Sequence, residues 1–231
     1  MNEKKYELVK SDTKSFLDRT LFRIKALKDF SIFEKGELGG YIEKEGNLSQ
    51  EGDAWVFGDA WVFGDAHVSG NALVFGNAQV YDKAWIYGNA QVYGYARIYD
   101  KAWVYDNVRI YGNALVYGYA RVSGDARVYG YALVSGYALV SGNAWVSGYA
   151  RVSGDARVYG DAWVSGEVKI DFVLCSKFNF ENQSQLNKWI ELEKEFKEIK
   201  DTLKDTPKLL EELTKEELIE KIKELENKKV V

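Results

Sequence analysis

The sequence of 231 residues holds one cysteine, one proline, one histidine and one methionine. A solitary Cys175 excludes a disulfide framework and points to a reducing compartment. With His67 as the single histidine, no cluster has metal-ligand spacing and no nucleophile–base pair can be drawn. There is no long apolar run, and the opening Met1-Asn2-Glu3-Lys4-Lys5 leads into no signal-peptide pattern, so a cytoplasmic protein is expected. Neither charge sign dominates: 31 basic and 35 acidic residues leave a net charge of -4. A double-stranded DNA mimic needs a strongly acidic surface and a nucleic-acid binder a strongly basic one, so neither partner is expected.

What the chain has instead is a phrase of six residues, Gly-Asp/Asn-Ala-x-Val-Tyr/Ser/Phe, running without insertion from Gly52 to Asp171. A fixed short period of this kind is the signature of a β-solenoid. Ala and Val lie two apart, so on a strand both face inward, and the residue between them, often Trp, Arg, Leu or Gln, faces outward. Gly and the Asx after it tolerate the backbone of a corner. Three sides of one hexad each would make a lap of eighteen residues, stacked at about 4.8 Å.

An eighteen-residue echo supports that lap. Every third Asx position, Asp53, Asn71, Asn89, Asn107, Asp125, Asn143 and Asp161, holds Asp or Asn, whereas the other two columns admit Tyr and Lys. Asp82-Lys83-Ala84-Trp85-Ile86-Tyr87 also recurs as Asp100-Lys101-Ala102-Trp103-Val104-Tyr105.

The hexads resemble the left-handed parallel β-helix of the hexapeptide-repeat proteins, and the left hand is what that resemblance implies. This family commonly has a small or acidic residue after the aliphatic one; here Phe63, Tyr81, Tyr99 and Ser135 stand there. A nearer likeness, carried by Leu38-Gly39-Gly40-Tyr41-Ile42 and Asn47-Leu48-Ser49-Gln50-Glu51-Gly52, is to uncharacterised phage and prophage hexapeptide-repeat proteins. That likeness implies a host cytoplasm as the setting.

The expected fold class is mainly β. Residues 1–39 form a small N-terminal β cap with a strand at Tyr6–Val9, a polar turn at Ser11–Ser15 and a half-buried strand at Leu21–Leu27; Arg23, Lys25 and Lys28 read as a solvated face. Residues 40–171 form the β-helix, in which Gly40-Tyr41-Ile42 and Gly46-Asn47-Leu48 are degenerate hexads with an aliphatic at the Ala position. Residues 172–182 read as a second cap and linker. Residues 183–231 turn helical: Trp189, Leu192, Phe196, Ile199 and Leu203 make one apolar stripe, Pro207 opens a second helix, and Thr214 to Glu217 has capping-box form before Leu218, Ile222 and Leu225.

Three functions are weighed. The first is a non-catalytic oligomer that sequesters a small anionic, nucleotide-like ligand, with no cofactor. Lys83, Trp85, Tyr87, Lys101, Trp103, Tyr105, Tyr119 and Arg121 fall on one side, with Arg97 and Arg109 on adjoining sides: aromatic planes for a base, cations for phosphate. A phage-encoded sponge for a cyclic nucleotide of a host defence is the form the phage resemblance suggests. The second is an acyltransferase of the hexapeptide type, in which His67 would be the general base. The third is a structural or protein-binding rod, its ladders only stabilising the sheet. Asp82, Asp100 and Asp106, which replace corner glycines, read as general acids or simple turn residues. An apolar seam of Tyr95, Tyr99, Leu115, Tyr117, Tyr131, Leu133 and Tyr149 suggests a covered face, and family resemblance implies a parallel homotrimer.

Overall fold

The Ala and Val of each hexad stand inward, and both are fully buried along the whole coil, from Ala54 and Val56 to Ala162 and Val164. The computed structural model describes residues 3–175 and 179–202. Within residues 1–182, short two-residue strands form a parallel solenoid of about seven turns. They sort into three sheets, and from Trp55 to Ile170 strands eighteen residues apart pair, as in Gln91 with Arg109 and Val92 with Ile110. Between turns, backbone N–H groups donate to carbonyls one lap ahead, such as Trp85 N to Ala102 O at 2.9 Å.

Corners recur every six residues with φ near +70°, and glycine occupies most of them. At Gly136 (φ 69°) a Cβ would stand 2.9 Å from the nitrogen of Gly154 in the next turn. Asp82, Asp100 and Asp106 hold the same left-handed backbone at φ 58°, 58° and 63°. Their carboxylates accept backbone N–H groups of the next turn, Asp100 from Gly118 at 3.0 Å and Asp106 from Gly124 at 3.1 Å. That bond offsets the conformational cost, and it gives these aspartates a structural use.

The pure Asx column is a hydrogen-bonded ladder. The Asn71 amide donates to Asn89 (3.1 Å), Asn89 to Asn107 (2.9 Å) and Asn107 to Asp125 (3.0 Å). A carboxylate accepts only, so Asp125 ends that run; Asn143 to Asp161 (3.0 Å) is a second one. The residue after each Val has its own order. Phe57, Phe75, Tyr93, Tyr111 and Tyr129 stack in a column with neighbouring centroids between 4.7 and 5.0 Å apart. Phe63, Tyr81, Tyr99 and Tyr117 make another. Elsewhere at this position small Ser123, Ser135 and Ser147 are buried. Stacked rings thus take the place of the small or acidic residue of the resembling family.

Both ends depart from the expected boundaries. Strand β1 (Tyr6–Phe16) runs through Ser11–Ser15 with an irregularity between Val9 and Thr13, so no turn falls there. The reversal to β2 (Arg19–Ala26) comes at Leu17, which has φ 51°. Arg23 is not on a solvated face: its guanidinium donates to Gly39 O (2.8 Å) and the Tyr41 hydroxyl (2.6 Å) and pairs with Asp12 (2.8 Å). β3 (Leu38–Ile42) joins the hairpin to the coil, pairing Ile42 with Val62. Leu48 bridges Val68. Ile42 and Leu48 therefore stand at Val positions, not Ala positions, and this first lap is two residues longer than eighteen. Gly39 and Gly40 are needed because a Cβ on either would lie 2.5 Å or 2.7 Å from the carbonyls of Val56 and Ala60.

The cap also wraps the outside of the first turn. Trp55 occupies an outward hexad position yet is fully buried, edge-on to Phe30 (5.1 Å) and Tyr6 (6.0 Å). Close by, the buried Lys5 ammonium donates to the carbonyls of Glu51 (3.4 Å), Gly52 (3.1 Å) and Ala54 (2.9 Å). Burial pushes this group down to about 8; Asp53 opposes the shift and Lys28 adds to it.

Residues 172–182 are not a linker throughout. Val173–Cys175 pairs with Arg157–Tyr159 and Asn179–Phe180 with Trp163–Val164, so the coil continues on a lap shortened by two. Separately, α1 (Gln183–Thr202) forms the helix of a second unit. Of the apolar stripe, Leu203 and the second helix with Pro207, Thr214, Leu218, Ile222 and Leu225 lie outside the described residues. Among the described residues, no helix is long and apolar enough to cross a membrane.

Gly136→Ala should lower the unfolding free energy by about 2 kcal/mol in urea titration, from the left-handed backbone and the contact with Gly154. Asp106→Gly should stay within about 1 kcal/mol of wild type, because relief of strain offsets the lost hydrogen bond. For Lys5 the folded value lies below the unfolded one, so its penalty is present below pH 8 and lifts as pH rises towards 10.5. The stability of wild type relative to Lys5→Met should therefore increase over that window, as read by urea unfolding at each pH.

Candidate functional site

The seven-stranded sheet carries, in its central outward column, His67, Trp85, Trp103, Arg121, Leu139 and Arg157, each paired with the next. Beside it, eighteen residues apart at the position after each corner residue of this side, stand Lys83, Lys101, Tyr119 and Tyr137. Tyr87 and Tyr105 stack along the opposite corner at 5.1 Å. Lys83, Trp85, Tyr87, Lys101, Trp103, Tyr105, Tyr119 and Arg121 thus share one face. Arg97 and Arg109 do not: they belong to the ten-stranded and eight-stranded sheets and line neither groove described below.

An open groove of about 600 Å³ runs along this face. Lys83, Lys101, Arg121 and Arg157 supply four cations to its wall, and Trp103, Tyr119, Tyr137 and Leu139 the rest; among the described residues no carboxylate lines it. Trp85, Tyr87 and Tyr105 lie outside the lining. Tyr137, Leu139 and Arg157 are additions to the expected site residues. Each lies eighteen residues, or twice eighteen, beyond Tyr119, Trp103 or Arg121, so the signal that finds them is the same pair of columns followed two laps further.

Charge is held firmly here. The Lys101 ammonium donates to the Tyr119 hydroxyl at 2.6 Å and lies 4.6 Å from its ring centroid. That hydrogen bond raises Lys101 above its ordinary value, so it stays cationic. The Arg121 guanidinium lies 5.4 Å from the Trp103 ring, a cation–π contact. Trp103 also stacks on Trp85 at 5.9 Å and 19°. Tyr87 is raised, by burial first and then by Tyr105 and Asp106, and stays neutral.

A second groove of about 400 Å³ turns the corner from the first and shares Lys83, Lys101 and Tyr119 with it. Its lining also holds Asp65, Asp82 and Asp100, together with Arg19. Asp65 is held down chiefly by its hydrogen bond to Lys44. Among the described residues no three His, Cys, Asp or Glu side chains cluster as a metal site requires.

His67 lies at the N-terminal end of the same face, away from the groove lining. Its Nδ1 is 2.8 Å from the Gly46 carbonyl, which identifies that nitrogen as the protonated donor, and its ring tilts against Trp85 at 5.6 Å. The seam residues divide. Leu115 and Leu133 pair at the centre of the ten-stranded sheet, between Arg97 and Arg151. Tyr99 and Tyr117 are stacked and half-buried at one corner; Tyr95, Tyr131 and Tyr149 are exposed at the other.

A family model described as the YdcK beta solenoid repeat matches residues 66–82, 108–121, 120–136 and 150–166. These matches and the parallel coil together support a repeat β-helix family. The matched stretches follow the hexads around all three sheets, so they report the coil and leave the groove chemistry open. No curated protein matches the chain.

Proposed function

We propose that the seven-stranded face binds a small anionic ligand bearing an aromatic ring, of the nucleotide class, and holds it without turning it over. One observation carries this reading: Lys83, Lys101, Arg121 and Arg157 line one open groove in which, among the described residues, there are aromatic side chains and no carboxylate. Phosphate oxygens suit guanidinium and ammonium donors, and a base suits the aromatic side chains among them. Sequestration, rather than chemistry, fits a groove whose cations have no carboxylate or imidazole beside them in its wall. Such a sponge would lower the free concentration of a nucleotide signal, including one used in host defence.

In the fuller form of this proposal, the three-hexad coil winds left-handed and three parallel copies associate. The exposed Tyr95, Tyr131 and Tyr149 support a covered corner. Native mass spectrometry reads the subunit number directly; a monomer at micromolar concentration removes this part.

The acyltransferase alternative places a general base at His67, whose Nδ1 side is committed to the Gly46 carbonyl. Calorimetry with linear and cyclic nucleotides, and with an acyl-coenzyme A, separates the readings. Nucleotide binding is expected, weakened about 50-fold or more by Lys101→Met with Arg121→Met, since charge-assisted bonds are the stronger ones in phosphate recognition. Both side chains are exposed, so thermal melting of that variant should stay near wild type. His67→Ala should leave nucleotide affinity unchanged. Binding that survives the double substitution puts the ligand elsewhere, and acyl transfer lost in His67→Ala establishes the enzyme instead.

A further inference from the structure

The aromatic columns use up their own stacking surfaces. Trp103 has Trp85 on one side, at 5.9 Å, and the Arg121 guanidinium at 5.4 Å. Tyr119 has the Lys101 ammonium at 4.6 Å and Tyr137 stacked at 4.9 Å and 12°. A ligand ring therefore finds Trp103 and Tyr119 already covered. Tyr137 differs. The next position of its column, eighteen residues on, is Asp155, which has no ring to offer. Tyr137 is 65% exposed, against 46% for Tyr119.

We propose that the ligand's ring stacks on this open side of Tyr137, as the third rung of the Tyr119–Tyr137 column, with its anionic group held by Arg157 and Arg121. The inference rests on the groove reading above and names the residue that recognises the ring. Three observations converge on it. The column spacing of 4.9 Å is an aromatic stacking distance, so a planar ring can continue the column. Arg157 belongs to the same hexad as Asp155, and its strand pairs with Leu139, so a cation stands at the level of the vacant rung. Both Tyr137 and Arg157 line the cationic groove, which runs back to Arg121 and Lys101.

The test is calorimetry on the full chain with adenosine 5′-diphosphate and pyrophosphate as probes. Tyr137→Ala should weaken the nucleotide about tenfold or more, the size of one base-stacking contact, and leave pyrophosphate within about twofold. Tyr137→Phe should bind the nucleotide as wild type does, because the ring and not the hydroxyl is used. Tyr129→Ala, at the end of the Phe57–Tyr129 column on the eight-stranded sheet and outside this groove, should have no effect on either probe. Equal losses in Tyr137→Ala and Tyr129→Ala, or no loss in Tyr137→Ala, overturn the inference. Wild type binding both probes with equal affinity overturns it while the cationic groove stands. Wild type binding neither probe overturns the groove reading, and the ring contact with it.

Discussion

Everything in the coil depends on the approach of one corner to the corner above it. At most glycine corners the backbone passes so close to the next lap that a methyl group would meet its amide nitrogen, at 2.9 Å for Gly136 and 3.0 Å for Gly112. That approach sets the lap spacing, and the spacing sets everything stacked upon it: inward Val on Val, amide on amide, ring on ring. The short strands contribute few hydrogen bonds each, and no strand is stable alone. Stability comes from repetition, each lap serving as the template for the next.

A stack of like columns decides how outward chemistry can be arranged. Side chains eighteen residues apart are neighbours whatever their type, so the sequence order along one column is the order of contacts in space. Asn donates along its column until an Asp accepts and stops. Tyrosines stack until a Ser or an acid interrupts. A cation one lap from an aromatic ring lies over it, as Lys101 does over Tyr119 and Arg127 over Trp145. Grooves then arise where a column changes residue type, because the missing ring leaves room. The groove of the seven-stranded face follows that rule, and so does Tyr137, the last ring of its column along that groove.

Much of this is legible in advance because a six-residue period has few physical solutions. The inward Ala and Val, the corners, and the shared face of Lys83, Trp85, Lys101 and Trp103 follow from alternation and from counting in eighteens. The count misses the places where the period fails. Ser49-Gln50-Glu51 lie in a lap lengthened by two, which moves Ile42 and Leu48 from Ala to Val positions. Trp55 reads as outward by alternation, but Phe30 and Phe33 from the cap cover it, a tertiary contact no periodicity encodes. Arg23 reads as solvated because its partners Asp12, Gly39 and Tyr41 are contributed by other strands. Arg97 and Arg109 are near Lys101 in height along the coil, yet their separate sheets face separate ways.

The way the coil is closed at its first lap also matters beyond the single molecule. A chain built by copying one rung is a template for endless growth, since any lap can seat another of equal length from a second molecule. Here the first lap is two residues too long and the last two too short. Each odd lap still pairs in register with its neighbour, so what meets an incoming turn at the N-terminal extremity is the antiparallel β1–β2 hairpin, which occupies that edge of the ten-stranded sheet in place of another parallel rung.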